Sequence, residues 1–177
     1  MKRIIFLILC VFACSSLWAQ DFNFMGVSLS QPTQNVKSEL LQKSSLTKCE
    51  DNALCGDFWK FKDCNIYVVG KDNEIPRYVI VRKNAPEESL IKDMIMSFTK
   101  KYGTPKLYKD DKTITKDELQ EVWTVGENKI ALQYVINYDI SHNQKKIDRS
   151  SVEITYYTKN GIEFFDILYK DAVEDDL

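Results

Sequence analysis

The single histidine of this chain has no neighbours in sequence that could assist it in catalysis. His142 belongs to the polar run 141–146. A catalytic base needs a group that orients the imidazole ring and a proton within hydrogen-bond reach, and nothing nearby in the sequence supplies either. A Cys–His nucleophile would have to use Cys64, with the thiol exposed and its pKa lowered. Cys64 instead opens an apolar alternating segment, where a free thiol behaves as a small buried hydrophobe. We therefore expect His142 to be a solvated loop residue.

Acidic pairs occur at Glu50-Asp51, at Asp110-Asp111 and in the run Glu174-Asp175-Asp176. Calcium loops place oxygen ligands at alternating positions before a turn glycine, and none of these pairs has that form. Paired carboxylates that hydrolyse sugars need a set separation across a cleft, which spacing in sequence does not provide. We predict no catalytic, cofactor-binding or metal-binding residues. A small carboxylate-dependent hydrolase of cell-wall or polysaccharide material is the alternative.

Aromatic residues carry the one remaining functional signal. Rings are dense in the second half of the chain, and most of them fall on phases that predict a core. A second interpretation assigns several rings to the opposite phase, where they would form an exposed recognition face. The residues of that predicted face are Trp59, Phe61, Tyr67 and Tyr157.

Three cysteines lie outside the N-terminal segment: Cys49, Cys55 and Cys64. In an oxidising compartment two of them can pair and one is left over. The pairing of Cys49 with Cys55 is favoured because these residues flank a short polar loop. A bond from Cys64 to one of them is the alternative. A zinc site is not expected, because a fourth ligand is missing and the only histidine is distant in sequence.

The N-terminus has the proportions of a secretory signal. Basic residues at positions 2–3 precede the ten-residue apolar run 4–13 and the small residue Ala19. At about 1.5 Å per residue this run spans only about half of a bilayer interior. We expect cleavage after Ala19 and export to the periplasm or beyond. Lipoprotein processing at Cys14 is the minor alternative.

Composition suits one ordinary globular domain over 20–177. The chain has 177 residues, of which 44% are hydrophobic and 28% charged, values that exclude disordered and fibrous classes. Loss of Lys2 and Arg3 with the signal changes the formal charge from −2 to −4. A chain without a basic field is not expected to bind nucleic acid. No later segment is apolar enough to span a membrane.

The same order of elements occurs twice, in halves spanning about 22–83 and 84–160. In the first half, apolar residues at helical spacing follow Pro32 and end near Lys43. Three runs rich in aromatic and β-branched residues then predict antiparallel strands at 58–62, 65–69 and 77–82.

The second half opens with the strongest helical pattern, predicted over 86–102. Asn84 followed by Glu87 resembles a capping box, and Gly103 with Pro105 ends the helix. Alternating segments predict strands at 122–125, 129–138 and 151–158. The stretches 109–116 and 141–150 are interpreted as polar connections, and 162–174 as a C-terminal helix. The predicted fold is α+β, with an antiparallel sheet covered on one face by helices.

The helix end Tyr102-Gly103-Thr104-Pro105 separates the two groups of strands. Together with the opening Phe24-Met25-Gly26-Val27 and the closing Asp175-Asp176-Leu177, it resembles uncharacterised small exported α+β proteins of Gram-negative bacteria. More distantly, the duplicated layout is similar to the β-lactamase-inhibitor-protein-like architecture, which is mostly a binding scaffold. The resemblance implies a fold and a compartment and transfers no site residues.

From these observations we expect an exported, non-enzymatic binding or accessory protein that recognises a protein or glycan of the cell envelope. A structural subunit of an envelope assembly is a further alternative. The ligand and the oligomeric state do not follow from the sequence.

Overall fold

The structure, a computed structural model, describes residues 22–110, 120–139 and 146–171. Several predictions fall outside these ranges and remain predictions. They concern the signal sequence with its Ala19 and Cys14 alternatives, the loop residue His142, and the acidic tail Glu174–Asp176.

The first half contains a helix and a meander, as the apolar spacing predicts. Its elements are β1 (Asn23–Phe24), β2 (Val27–Ser28), α1 (Thr33–Lys43), β3 (Thr47–Lys48), β4 (Leu54–Phe58), β5 (Phe61–Val69) and β6 (Tyr78–Asn84). A 3₁₀ turn at Glu50–Asn52 lies between β3 and β4. The predicted strand over 58–62 is wrong, because Phe58 ends β4 and Phe61 begins β5. Trp59 between them has a φ of 53°, and this left-handed backbone reverses the chain within the aromatic run.

The second half repeats the order and adds a short C-terminal part. Its elements are α2 (Glu88–Tyr102), β7 (Lys106–Asp110), β8 (Gln120–Val125), β9 (Asn128–Asp139), β10 (Lys146–Tyr157), α3 (Ile162–Leu168) and β11 (Tyr169–Asp171). The predicted C-terminal helix therefore ends at Leu168, before the expected position 174. The next three residues pair with β7. Parts of both predicted polar connections are strand instead, because β7 reaches Asp110 and β10 begins at Lys146.

The start of α2 differs from the capping-box prediction, whereas its end agrees. Glu87 occupies the N-cap position and makes no side-chain cap hydrogen bond. Asn84 still belongs to β6, where it pairs with Ser151, and Ala85 turns the chain with a φ of 43°. Gly103 ends the helix with a φ of 92°, a conformation that glycine adopts without steric penalty.

Both halves join in one antiparallel sheet of nine described strands, in the order β11-β7-β8-β9-β10-β6-β5-β4-β3. The last long strand of each half meets the other at the centre, where Val81 of β6 lies opposite Ile154 of β10. The α+β class and the antiparallel sheet are confirmed. Each half contributes four strands to this sheet, one more than the three predicted, since β3 and β7 extend the two meanders; β1 and β2 pair in a separate two-stranded sheet.

The inner face of the sheet is the one that α1 and α2 cover. Residues from both helices are buried against apolar side chains of the central strands: Val36, Leu40, Ile91, Met94 and Phe98 from the helices, and Ile66, Val81, Leu132 and Ile154 from the sheet. The ring of Trp123, fully buried, packs edge-on against Phe98 with centroids 5.4 Å apart. Burial of this size is the main favourable term of folding.

The outer face is partly covered by α3. Phe165 is fully buried there, with Tyr108, Val122, Ala131 and Tyr157 around it. Tyr78, at the start of β6, packs against that cluster. The other residues of β5 and β6 on this face are half-buried or exposed. The outer face therefore has a covered end near β7–β9 and an open end near β5–β6.

The structure joins Cys49 and Cys55 in a disulfide and leaves Cys64 free and buried. We expect a reductant to lower the free energy of unfolding of the mature protein by about 2 kcal/mol, because reduction releases a short loop constraint in the unfolded chain. Urea unfolding with and without the reductant measures this change. A double Cys49→Ser, Cys55→Ser variant serves as the control and should not respond. An unchanged wild-type midpoint would contradict the prediction.

Candidate functional site

The four aromatic residues predicted as a recognition face do not lie together on the surface. Phe61 is 1% exposed and Tyr157 is 4% exposed, so the prediction is wrong for both. A register shift in the β4–β5 pair, with Asp63 at a φ of 52°, turns Phe61 into the core. Tyr157 does point to the outer face, but Phe165 packs over it with ring centroids 5.3 Å apart.

Trp59 is exposed at the β4–β5 turn, away from the outer face. Lys60 Nζ lies 4.9 Å from the centre of the Trp59 ring and 2.8 Å from Asp93 Oδ2 on α2. The turn is therefore attached to the helix side of the molecule. Tyr67, in contrast, is half-buried on the outer face of β5. Of the four predicted residues, only Tyr67 remains on an open part of the sheet.

A row of polar side chains crosses the centre of the outer face beside Tyr67. Asn65 of β5 lies opposite Arg82 of β6, which lies opposite Glu153 of β10, which lies opposite Gln133 of β9. Residues directly opposite in antiparallel strands share a face of the sheet. The pairing of the strands therefore aligns four polar side chains from distant parts of the sequence.

Hydrogen bonds join three members of this row, with Glu153 at the centre. Arg82 donates from Nε to Glu153 Oε1 at 2.6 Å and also from Nη2 to the same oxygen. Gln133 Nε2 donates to Glu153 Oε2 at 3.1 Å. The side chain of Glu153 is 9% exposed, whereas that of Arg82 is 46% exposed. The carboxylate is therefore held inside the surface, and the guanidinium that neutralises it faces solvent.

The neighbouring positions give the row an apolar border. Two residues along, in the next pair of β5 and β6 on the same face, Tyr67 lies opposite Ile80, and both are half-buried. On the other side, the disulfide sulfur of Cys55 lies 3.2 Å from Asn65 Oδ1. We call the half-buried and exposed residues Asn65, Tyr67, Ile80 and Arg82, together with Glu153 and Gln133, the outer-face patch.

Glu121 lies on the inner face of the sheet, where its surroundings are less polar than those of Glu153. Its cross-strand neighbours are Leu107 of β7 and Leu132 of β9, and burial raises the pKa of its carboxyl group. Among the residues that the structure describes, its buried Oε2 atom and the buried Nε1 atom of Trp123 have no hydrogen-bond partner. Carboxyl groups of this kind occur in active sites and also in purely structural settings.

Glu121 and Glu153 cannot act as a pair on one substrate. Glu121 shares the inner face with Leu132, whereas Glu153 shares the outer face with Gln133. The sheet therefore separates the two carboxyl groups, while glycoside hydrolysis needs both on the two sides of one bond. Within the described ranges, no group of three or more His, Cys, Asp and Glu side chains could hold a metal ion.

Burial raises the pKa of Cys64 as well, which lowers its thiolate fraction and its reactivity.

No helix in the described part of the chain is long and apolar enough to cross a membrane. In comparisons with protein-family models, curated proteins and solved structures, nothing matches the chain. The geometry of the outer-face patch therefore carries the functional argument alone.

We expect Glu121→Gln to be more stable relative to wild type at neutral pH than at acidic pH. The raised pKa means that the folded protein holds the Glu121 proton more tightly than the unfolded chain does. Ionisation of Glu121 therefore lowers stability as the pH rises above its ordinary pKa of 4.5. The amide side chain of the Glu121→Gln variant does not ionise, so the variant does not lose this stability. Urea unfolding at about pH 4 and about pH 7 measures the difference.

Glu39→Gln is a control with the opposite sign. A side-chain hydrogen bond from Lys43 lowers the pKa of Glu39, so its carboxylate contributes stability that is lost as the pH falls. Glu39→Gln should therefore lose stability relative to wild type as the pH rises. If Glu121→Gln also lost stability relative to wild type as the pH rises, burial would not be the dominant effect on the pKa of Glu121, and the prediction would be wrong.

Proposed function

We propose that this is an exported, non-enzymatic accessory protein that binds a component of the cell envelope through the outer-face patch. The observation that supports this most is the polar row from Asn65 to Gln133, in which Glu153 accepts hydrogen bonds from Arg82 and Gln133. Its members come from four central strands, which is a rigid support for a contact surface. Aromatic and arginine side chains, here Tyr67 and Arg82, are the types that contribute most at binding sites.

Two features favour binding over the alternatives. The hydrolase alternative needs paired carboxyl groups, and Glu121 and Glu153 lie on opposite faces of the sheet. Assembly through edge-to-edge pairing needs long open edge strands. The described edge strands are short, since β3 has two residues and β11 has three.

Export is part of this proposal. The apolar run before Ala19 supports it, and the disulfide between Cys49 and Cys55 suits an oxidising compartment. The resemblance of the Tyr102–Pro105 helix end to small exported α+β proteins agrees with the same compartment.

Affinity capture tests the proposal directly. The mature protein from Gln20 onward is immobilised and incubated with envelope extract, and retained proteins and glycans are identified by mass spectrometry. Tyr67→Ala removes the aromatic contact of the patch. Trp59→Ala is the matched control, because Trp59 is an exposed ring (37%) outside the patch.

We expect at least one component that wild type and Trp59→Ala retain and Tyr67→Ala loses. Retention that is equal for all three proteins would contradict the proposed surface. Cleavage of a glycan or peptide panel by the protein would contradict the non-enzymatic assignment.

A further inference from the structure

The outer-face patch has the chemistry of a site for an uncharged oligosaccharide strand. We infer, on the basis of the proposed function, that its ligand is a neutral glycan rather than a charged polymer or a peptide. The inference depends on the charge balance of the patch, on its remaining hydrogen-bond donors and on its place in the sheet.

The patch carries no net charge. Arg82 and Glu153 neutralise each other through two hydrogen bonds. The paired positions on either side are uncharged, since one row contains Tyr67, Ile80 and Thr155 and the other Asn84 and Ser151. The exposed Asp63 lies two residues before Asn65, outside the residues that β5 pairs with β6. Charged ligands are recognised by surfaces of opposite potential. A surface with balanced charge attracts neither an acidic nor a basic polymer through its electrostatic potential.

The hydrogen-bond capacity of the patch suits hydroxyl groups. An arginine has five N–H donors, and Glu153 accepts from Nε and Nη2 of Arg82. The remaining donors are on a side chain that is 46% exposed, beside the half-buried amide of Asn65. Hydroxyl groups of a sugar accept such bonds, and the amide offers both a donor and an acceptor in return.

Tyr67 and Ile80 supply the apolar part of the same contact. A sugar ring has a C–H face that packs against an aromatic ring, while its hydroxyl groups point outward around it. Tyr67 places a half-buried ring two residues along β5 from Asn65, at the next position on the same face of the sheet. Neighbouring strands lie about 4.8 Å apart, so Asn65 and Arg82 place polar groups on two adjacent strands beside the ring, at a spacing that neighbouring hydroxyl groups of an extended glycan can reach.

A peptide ligand fits this location less well. Extended peptides bind sheets by adding a strand at an open edge. The patch lies on β5, β6, β10 and β9, each of which has a paired strand on both sides. Its backbone groups are therefore used within the sheet, and only side chains are available to a ligand.

Isothermal titration of the mature protein with defined oligosaccharides tests this inference. The probes are a glucose hexamer with β-1,4 linkages, an N-acetylglucosamine hexamer with the same linkages and, as the anionic comparison, a galacturonic acid hexamer. We expect a neutral hexamer to bind with little dependence on salt, and Tyr67→Ala to weaken it about tenfold or more. Arg82→Lys, which keeps the charge but loses the planar fork, should weaken it as well, and Trp59→Ala should not.

Two results would overturn the inference. One is that the galacturonic acid hexamer binds more tightly than either neutral hexamer with a steep salt dependence. The other is that neither neutral hexamer binds. If envelope capture still depended on Tyr67 and yielded a protein, the glycan inference would fail and the proposed function would stand. If capture were also independent of Tyr67, both would fail.

Discussion

Replacing Gly161 by alanine is expected to lower the free energy of unfolding by about 3 kcal/mol or more. A Cβ atom on Gly161 would lie 2.0 Å from the carbonyl oxygen of Arg77 and 2.8 Å from its carbonyl carbon. The obstacle is backbone, which cannot move aside as a flexible side chain can. The same Arg77 oxygen accepts a hydrogen bond from Thr158 N at 3.0 Å, so a shift there also disturbs the start of the C-terminal part.

Gly126→Ala is the matched control for this prediction. Gly126 has a φ of 60° and nothing within 4 Å of an added Cβ, so alanine there meets only backbone strain, about 1 kcal/mol. Urea unfolding of both variants measures the two losses. A Gly161→Ala loss no greater than that of Gly126→Ala would show that the chain near Arg77 and Gly161 is not packed as described.

The second large effect concerns the buried carboxylate of the patch. We expect Arg82→Ala to lower the free energy of unfolding by about 2–3 kcal/mol. The substitution leaves Glu153, whose side chain is 9% exposed, with Gln133 Nε2 as its described donor. A buried charge that loses its partner is penalised more than a charge that can return to water.

Glu153→Gln should be milder, with a loss of about 1 kcal/mol. Its amide oxygen still accepts a hydrogen bond, and Arg82, with a side chain 46% exposed, remains solvated. Arg82→Met combined with Glu153→Met should recover much of the loss of Arg82→Ala, because no charge is then buried alone. Equal losses for Arg82→Ala and Glu153→Gln would contradict this asymmetry.

Local patterns predicted most of the elements well. The helical spacing of apolar residues gave α1 and most of α2, and Gly103 marked the end of α2 as expected. Two of the errors occurred where the backbone has a positive φ at a residue type that rarely adopts one. Trp59 and Ala85 are the clearest cases, since aromatic and alanine residues rarely turn the chain in this way.

The candidate site was harder to predict, because it depends on contacts between distant segments. Strict alternation along β5 places Phe61 on the same phase as Tyr67, and the register shift near Asp63 reverses it. Tyr157 was on the correct phase, but the cover supplied by Phe165 comes from a separate helix. Alternation also indicates which way a polar strand residue points, without indicating which strand lies beside it.

The polar row illustrates this limit. Arg82 and Glu153 are 71 residues apart in sequence, and only the pairing of β6 with β10 brings them together. Outward-facing polar residues in otherwise apolar strands were the available signal for Arg82, Gln133 and Glu153. That signal becomes a site only when the strand order is known.

The central claim, that the molecule contacts its ligand through the outer-face patch, is tested most directly by site-specific photo-crosslinking in envelope extract. A benzophenone side chain replaces Tyr67 in one variant and Met96 in another. Met96 is 63% exposed on α2, the helix that covers the opposite face. We expect a discrete adduct of the Tyr67 variant upon irradiation and none of the Met96 variant. Adducts at position 96 alone, or equally at both positions, would contradict it.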